Sequence, residues 1–295
     1  MAYFLRWFRF VTALILLVGN LLFCSSVVLL ACPVSGLPLL GESWLSKVKI
    51  TMQRMHATNI TAILRSVSGV TLKLCGEIDV SEKGKYIVIA NHQSGLDVAV
   101  LLSAFWGKLP PLKFFLKRSL AYVPIVGWFS YIMGYPFIDR VESGASLKDA
   151  KRILDAQRVR LASQCELAFK KPSALVVFVE GTRFSFTKSS SAYRYVLQPQ
   201  STGLAICLAN LPDDFTSVVD VTLFYEGVQP VTLWSVLNGT CRFIEVHVQL
   251  HACKEFVRQD CVADRSKRRP LTQWLQATWV EKDALLTSLH DKSCT

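Results

Sequence analysis

Tyr86-Ile87-Val88-Ile89-Ala90-Asn91-His92-Gln93-Ser94-Gly95-Leu96-Asp97 is the stretch from which the fold of this 295-residue chain is read. Its first five residues form an unbroken apolar run, which suits a strand buried on both faces. Residues 97–105 read as a helix. The segment between is then a loop at a strand end, where catalytic groups are commonly mounted on a rigid scaffold. A histidine and an aspartate five residues apart do not share a helix face. They meet if His92 sits in the loop and Asp97 in the first turn of the helix. The carboxylate then accepts a hydrogen bond from Nδ1–H of the imidazole, which fixes the tautomer and leaves Nε2 as a general base. A loop histidine beside a helix-capping aspartate is the plainer alternative that the same spacing allows.

Outward from this stretch, strands and helices alternate. Residues 73–90 read as strand, turn and strand, with Glu82-Lys83-Gly84-Lys85 as the turn. Residues 116–120 begin a helix that ends near Pro124, and Pro136-Phe137-Ile138 is a short strand. Residues 146–170 form a long helix, opened by Ser146 and Asp149 in a capping-box-like spacing and stopped by Lys170-Lys171-Pro172. Residues 174–179 and 218–225 are further buried strands. Residues 243–250 alternate strictly, with Ile244, Val246, Val248 and Leu250 set against Glu245, His247 and Gln249, as in a half-buried strand near an edge. From Leu271 onward, Trp274, Leu275, Trp279, Leu285, Leu286 and Leu289 recur at helical spacing and close the core. This alternation predicts an α/β fold.

Residues 11–32 carry no charge and follow Arg6 and Arg9. A bilayer-spanning helix needs about 20 such residues. Pro33, Gly36, Pro38 and Gly41 then form a hinge, and residues 42–68 form a basic amphipathic helix. The predicted organisation is a membrane anchor over residues 1–68 and an α/β domain over residues 69–295. Two models of the anchor stay open: a single span followed by a packing helix, and a helix that dips into one leaflet. A cleaved lipoprotein signal ending at Leu29-Leu30-Ala31-Cys32 is a third reading, weakened by the length of the uncharged run.

Thirty-three Lys+Arg against 22 Asp+Glu leave a formal net charge of +11, which suits an anionic partner. The hydrophobic N-terminus makes that partner a lipid surface. The basic run at residues 265–269 has no nucleic-acid-binding motif around it and reads as a solvated patch near the membrane. The nine cysteines include no Cys-x-x-Cys pair and read as reduced thiols rather than a disulfide framework. No metal site is expected, because His247 and His251 lie four apart on a strand with no helix to bring them together.

No Gly-x-Ser-x-Gly elbow supplies a protein nucleophile, so the attacking hydroxyl is assigned to the substrate. Two further blocks place charge directly after apolar strands: Gly134-Tyr135-Pro136-Phe137-Ile138-Asp139-Arg140 and Phe178-Val179-Glu180-Gly181-Thr182-Arg183-Phe184. Arginine is the natural fork for a phosphate monoester, and Gly181 lets the backbone come close to such a group. Singly, each block reads as a solvated strand end. In this order, the three blocks resemble the glycerolipid acyltransferase family, over about residues 73–239.

The first block of that family, Asn-His-x-Ser-x-x-Asp, is met from Asn91 to Asp97. The resemblance implies a mixed sheet flanked by helices, with His92 as the base and Asp97 as its orienter. It implies Arg140 as a glycerol-phosphate contact, Lys117 as a further substrate contact upstream beside the turn at residues 124–127, and Glu180, Gly181, Thr182 and Arg183 in acceptor binding. The reaction implied is acyl transfer from acyl-CoA or acyl carrier protein, as co-substrate, to the sn-2 hydroxyl of lysophosphatidic acid. It needs no cofactor, metal or nucleic acid. Backbone amides around Ser94 and Gly95 are candidates to hold the oxyanion. The expected location is a membrane, the bacterial inner membrane, with the site facing the cytoplasm where thioester donors are. Glycerol-3-phosphate or a lysophospholipid with a headgroup as acceptor, and a non-catalytic lipid-binding role, are the alternatives. The chain departs from the commonest pattern at Val179, where many members have Pro, and at residues 218–223, which replace a Pro-containing apolar strand. Both departures resemble a divergent branch with bacterial inner-membrane and some endoplasmic-reticulum members.

Overall fold

The structure, a computed structural model, describes residues 1–34, 41–76, 78–124, 126–138, 147–189, 192–252 and 266–293. Strands β1 (Thr71–Cys75), β2 (Lys85–Ala90), β3 (Leu112–Phe114), β6 (Ser173–Val177), β7 (Ser217–Tyr225) and β8 (Phe243–His251) form one six-stranded sheet. Its order is β1-β8-β7-β2-β6-β3. The β7–β8 pair is antiparallel and the other pairs are parallel, so the sheet is mixed, as expected. Strands β4 (Leu116–Lys117) and β5 (Phe137–Ile138) make a separate small parallel pair.

Helices cover both faces. On one side α2 (Gly41–Ser66) and α3 (Asp97–Ala104) pack on Tyr86, Val88 and Ala90 of β2. On the other, α5 (Leu147–Ala168), α6 (Ser201–Ala209) and α8 (Arg269–Ser293) pack on Ile87 and Ile89. A strand that feeds two cores has no polar face, which is why β2 and β6 read as nearly continuous apolar runs, and β7 does so apart from Asp220 and Thr222. The short helices α4 (Val126–Ile132) and α7 (Leu233–Leu237) complete the set that the described residues contain.

One expectation changes. Residues 116–120 are not the start of a helix: Leu116 and Lys117 pair with Phe137 and Ile138 as strand, and Arg118–Tyr122 is a 3-10 turn before α4. The strand at 243–250 is half-buried and near an edge, as expected, with β1 alone outside it. Helix α6 carries no amphipathic signal in the sequence, because Leu204, Ala205, Ile206, Cys207 and Leu208 are all buried and leave no polar face. Ser146, the proposed cap of α5, lies outside the described residues.

The N-terminal helix α1 (Ala2–Val34) is long and apolar enough to cross a membrane by length and composition. It is docked along the body of the protein. Ala13, Cys24 and Val28 are buried. Asn20 Nδ2 bonds His56 Nδ1 at 2.9 Å, and Asn59 Nδ2 donates to Asn20 Oδ1 at 2.9 Å. Trp7 and Phe10 lie against Trp234 of α7, with ring centroids 4.5 and 5.0 Å away. The opposite flank exposes Phe4, Phe8, Ile15, Phe23 and Leu30.

The unusual strand at 218–223 is explained by α8. Asp220 sits on β7 in the core, where Lys282 Nζ donates to its Oδ1 at 2.7 Å, to Val221 O at 2.7 Å and to Thr222 Oγ1 at 3.0 Å. Burial works against the Asp220 carboxylate, but the charge and hydrogen bond of Lys282, with His251 Nε2 3.9 Å from its Oδ2, outweigh it and hold its pKa below the usual range. Removing one member of a buried pair leaves a buried charge uncompensated. Lys282→Ala is therefore expected to lower the unfolding free energy by about 3–5 kcal/mol, whereas Asp220→Asn with Lys282→Met loses clearly less. Denaturant unfolding checks this, and equal losses would contradict it.

Candidate active site

Strand β2 ends at Ala90, and the loop at residues 91–96 carries the chain to α3. Asn91 extends the sheet with its side chain. Its Nδ2 donates to Leu223 O at 3.0 Å and its Oδ1 accepts from Leu223 N at 2.7 Å. The next residue, His92, is thereby fixed relative to β7. Asp97 opens α3, as the spacing predicted, and its carboxylate is fully buried. Oδ2 accepts from His92 Nδ1 at 2.8 Å, from Gln93 N at 2.7 Å and from Ser94 N at 3.0 Å. Oδ1 accepts from the Tyr225 hydroxyl at 2.6 Å. An ionised carboxylate only accepts, so Nδ1 of His92 carries the proton and Nε2 keeps its lone pair. Phe178 stacks on the imidazole at 4.2 Å. The Ser94 amide is spent on Asp97, which removes it from the oxyanion candidates and leaves the Gly95 amide.

The Glu180-to-Arg183 loop follows β6 and is tied to the first loop, since Phe184 N donates to His92 O at 2.7 Å. Gly181 adopts φ +69°, and a Cβ there would meet no atom within 4 Å, so the glycine serves its backbone conformation and leaves open surface. Thr182 Oγ1 accepts from Lys188 Nζ at 3.1 Å. Arg183 is exposed, with Nη1 beside Gly95. Glu180 turns the other way, into the core, where Oε1 accepts from Trp279 Nε1 of α8 at 3.2 Å. Burial pushes its pKa up to about 8, against the lowering effects of the Trp279 N–H, the Leu197 and His92 backbone and the Lys282 charge.

A cleft of about 540 Å³ opens beside His92, lined by Phe178, Gly181, Ile138, Leu161 and Arg268 among others. Lys117 is exposed on β4, directly paired with Ile138 of β5, so the start of the second block is brought to the cleft. Arg140 lies outside the described residues. The described cysteines are free thiols. Away from the cleft, His247 sits not with His251 but with Cys75 and Glu245, their ligand-type atoms within 4.8 Å of one another, and Glu245 is engaged there by Lys73 at 3.1 Å.

A family model described as Acyltransferase matches residues 72–226, a span that holds the His92–Asp97 pair and the Glu180-to-Arg183 loop. The chain belongs to the glycerolipid acyltransferase family. Among curated relatives, 1-acyl-sn-glycerol-3-phosphate acyltransferase 2 of Arabidopsis thaliana is 26% identical over 217 residues, covering 68% of this chain and 50% of that protein. The delta form of Homo sapiens is 27% identical over 217 residues, covering 68% and 52%. The epsilon form of Mus musculus is 25% identical over 261 residues, covering 80% and 66%. The chain thus spans about half the length of the first of these relatives. The crystal structure of the 1-acyl-sn-glycerophosphate (LPA) acyltransferase PlsC from Thermotoga maritima shares the fold, with a TM-score of 0.58 at 16% identity, covering 94% of this chain and 98% of that one.

In this member of the family two residues that hold the site come from far along the chain. Tyr225 is 128 residues from Asp97, and Trp279 is 99 from Glu180. Loss of one hydrogen bond to a charged group corresponds to roughly a ten- to hundred-fold effect. Tyr225→Phe is accordingly expected to lower kcat by that factor with little change in KM; a change confined to KM would contradict the assignment. Glu180 yields a second expectation. Its folded pKa is raised, so its contribution to stability is fully present below 4.5 and is lost as pH rises to about 8. Glu180→Gln should flatten that fall in the pH dependence of unfolding, and an unchanged slope would assign it to another group.

Proposed function

We propose that this acyltransferase moves a fatty acyl group from a thioester to the sn-2 hydroxyl of lysophosphatidic acid, giving phosphatidic acid. The observation that carries this reading is the His92–Asp97 pair at 2.8 Å, with the imidazole on a cleft beside an arginine-bearing loop. His92 Nε2 takes the hydroxyl proton as the oxygen attacks the thioester carbonyl. The tetrahedral oxyanion is held by the Gly95 amide, with Arg183 close by. The carbon–sulfur bond then breaks, and the imidazolium returns its proton to the leaving thiolate. Asp97 stabilises the imidazolium in between. Arg183, with Lys117 and Arg140, supplies the cations for the acceptor phosphate. The names of the relatives support this acceptor class, and acyl-CoA or acyl carrier protein is the donor proposed.

We further propose a monotopic membrane association. The exposed flank of α1 enters one leaflet while its other flank stays on the protein. Trp128 and Tyr131 of α4, which packs beside α1, are 69% and 79% exposed, and such amphipathic rings suit the interface. The side is the cytosolic one, where thioester donors are; in a bacterial cell that membrane is the inner one.

Thiol release from acyl-CoA by detergent-solubilised protein, with and without lysophosphatidic acid, tests the reaction. Acceptor-dependent release is expected to fall by at least about a hundred-fold in His92→Ala while the protein stays folded. Near-normal turnover in that variant would sink the mechanism.

A further inference from the structure

At the edge of the sheet, three side chains with metal-ligand chemistry are brought together by strand pairing. Strand β1 runs parallel to β8, with Cys75 opposite His247 and Lys73 opposite Glu245. Residues two apart on a strand share a face, so Glu245 and His247 project side by side and Cys75 projects next to His247. The thiol, a carboxylate oxygen and a ring nitrogen lie within 4.8 Å of one another. Spacing along the sequence offered only His247 and His251, and His251 is engaged elsewhere, with Nε2 3.9 Å from Asp220 Oδ2. The parallel partner strand supplies the ligand set that the spacing lacked.

Sulfur, imidazole nitrogen and carboxylate oxygen are the ligand types of zinc and its neighbours, whereas magnesium and calcium take oxygen. With bonds of about 2.0–2.3 Å to a tetrahedral ion, ligand atoms stand roughly 3.3–3.6 Å apart. The observed cluster reaches that spacing by small side-chain rotations. His247 Nε2 and Glu245 Oε2 are 2.8 Å apart, and the proton between them lies where an ion bridging the two would sit. The backbone is held in place. Gly76 follows Cys75 at φ +108°, and a Cβ there would collide with Val248 O, so the chain is pressed onto β8 just beyond the thiol. The Glu245 and His247 side chains are 19% and 23% exposed, which leaves a side open to water. Lys73 Nζ lies 3.1 Å from Glu245 Oε1 and competes for the carboxylate, but its side chain is 62% exposed and exposed ion pairs of this kind are weak.

We propose that Cys75, Glu245 and His247 bind a divalent cation of the zinc type, with a water as the fourth ligand. On binding, the thiol releases its proton to solvent and His247 offers an unprotonated nitrogen. The role is structural. Strand β1 is the edge strand and follows α2 in the chain, so the ion clips to β8 the strand by which the N-terminal helices join the sheet. Strand β7 separates this site from β2 and the His92 loop, and no step of acyl transfer passes through it.

The test uses the full-length protein in detergent, prepared with chelator and reductant. It is titrated with Zn²⁺ against a chromophoric chelator, and separately with Co²⁺. One equivalent is expected per chain, with a near-ultraviolet thiolate-to-cobalt band. Loss of a mere supporting partner costs a metal site about 10–100-fold in affinity, so Cys75→Ser and His247→Gln should each cost at least tenfold, and Cys75→Ser should abolish the band. Cys32→Ser, on α1, should keep both. Lys73→Ala removes the competing cation and leaves the ligands intact, so it should tighten zinc binding by a few-fold. Zinc should also raise the melting temperature of the wild-type protein and leave that of Cys75→Ser unmoved. The two ligand variants are independent, so a folding defect in one leaves the other to decide. Absence of one-equivalent binding in the wild-type protein, or binding that survives in a folded ligand variant, overturns the proposal. Acceptor-dependent thiol release is read separately, and either result there leaves this site as it stands.

Discussion

A carboxylate without exposure and without a buried cation at its side is the constraint around which this molecule is arranged. Asp97 satisfies both of its oxygens with donors: the imidazole, two loop amides and a tyrosine hydroxyl. An ionised carboxylate in such a place is tolerable only when it is fully hydrogen-bonded. Each donor comes from a different requirement on the chain. The amides of Gln93 and Ser94 point inward only if the loop after β2 is tight, the imidazole only if Asn91 continues the sheet, and the hydroxyl only if β7 lies beside β2. The register of the central strands, Ala90 opposite Val221, is thus coupled to the tautomer of one histidine.

The C-terminal helix provides a second level of the same design. From one face α8 sends Trp279 to Glu180, Lys282 to Asp220, and Asp283 to the amides of Arg194 and Tyr195 at 2.9 and 2.6 Å. These contacts reach the loop after β6, the middle of β7 and the segment that leads into α6. Glu180 faces α8 from behind the loop, and its contact with Trp279 ties down the turn that carries Gly181 and Arg183. Buried polar groups of this kind cost stability unless every partner is in place, and they fix one arrangement where an apolar core would tolerate several. The strand at 218–223 carries an aspartate because the helix across from it carries a lysine.

How much of this was legible in the sequence follows from the separation of the partners. His92 and Asp97 lie within one strand–loop–helix unit, so local spacing was enough to pair them and to name the protonated nitrogen. The α/β alternation was legible because β2, β6, β7 and β8 carry regular apolar patterns, while the mixed character of the sheet followed only from the family resemblance. The short strand at Leu116 was not, since two residues become strand only through Phe137 and Ile138, some twenty residues on, and local pattern cannot supply a distant partner. Tyr225 and Trp279 were invisible as partners of Asp97 and Glu180 for the same reason. Each reads locally as the end of a strand or a core aromatic. Asp220 was visible as an oddity, and its meaning depended on a residue 62 positions away.

The N-terminal helix shows the same limit from the side of solvent. Composition alone left two models, and a basic N-terminus pulled against a cytosolic site if the helix crossed the bilayer. A lone spanning helix has lipid on every side and has to be apolar all round. Helix α1 is two-sided: Asn20 is spent on His56 and Asn59, small and buried residues face α2, and Arg9 lies against Gly239 at the end of α7. Its first turns and its middle are thereby fixed to the body that carries His92. Under the monotopic arrangement proposed above, the N-terminus, Arg6 and Arg9 remain on the same side of the membrane as the active site, and the basic residues agree with a cytosolic location. The exposed flank then brings the cleft to the surface in which both the acceptor and its product are dissolved.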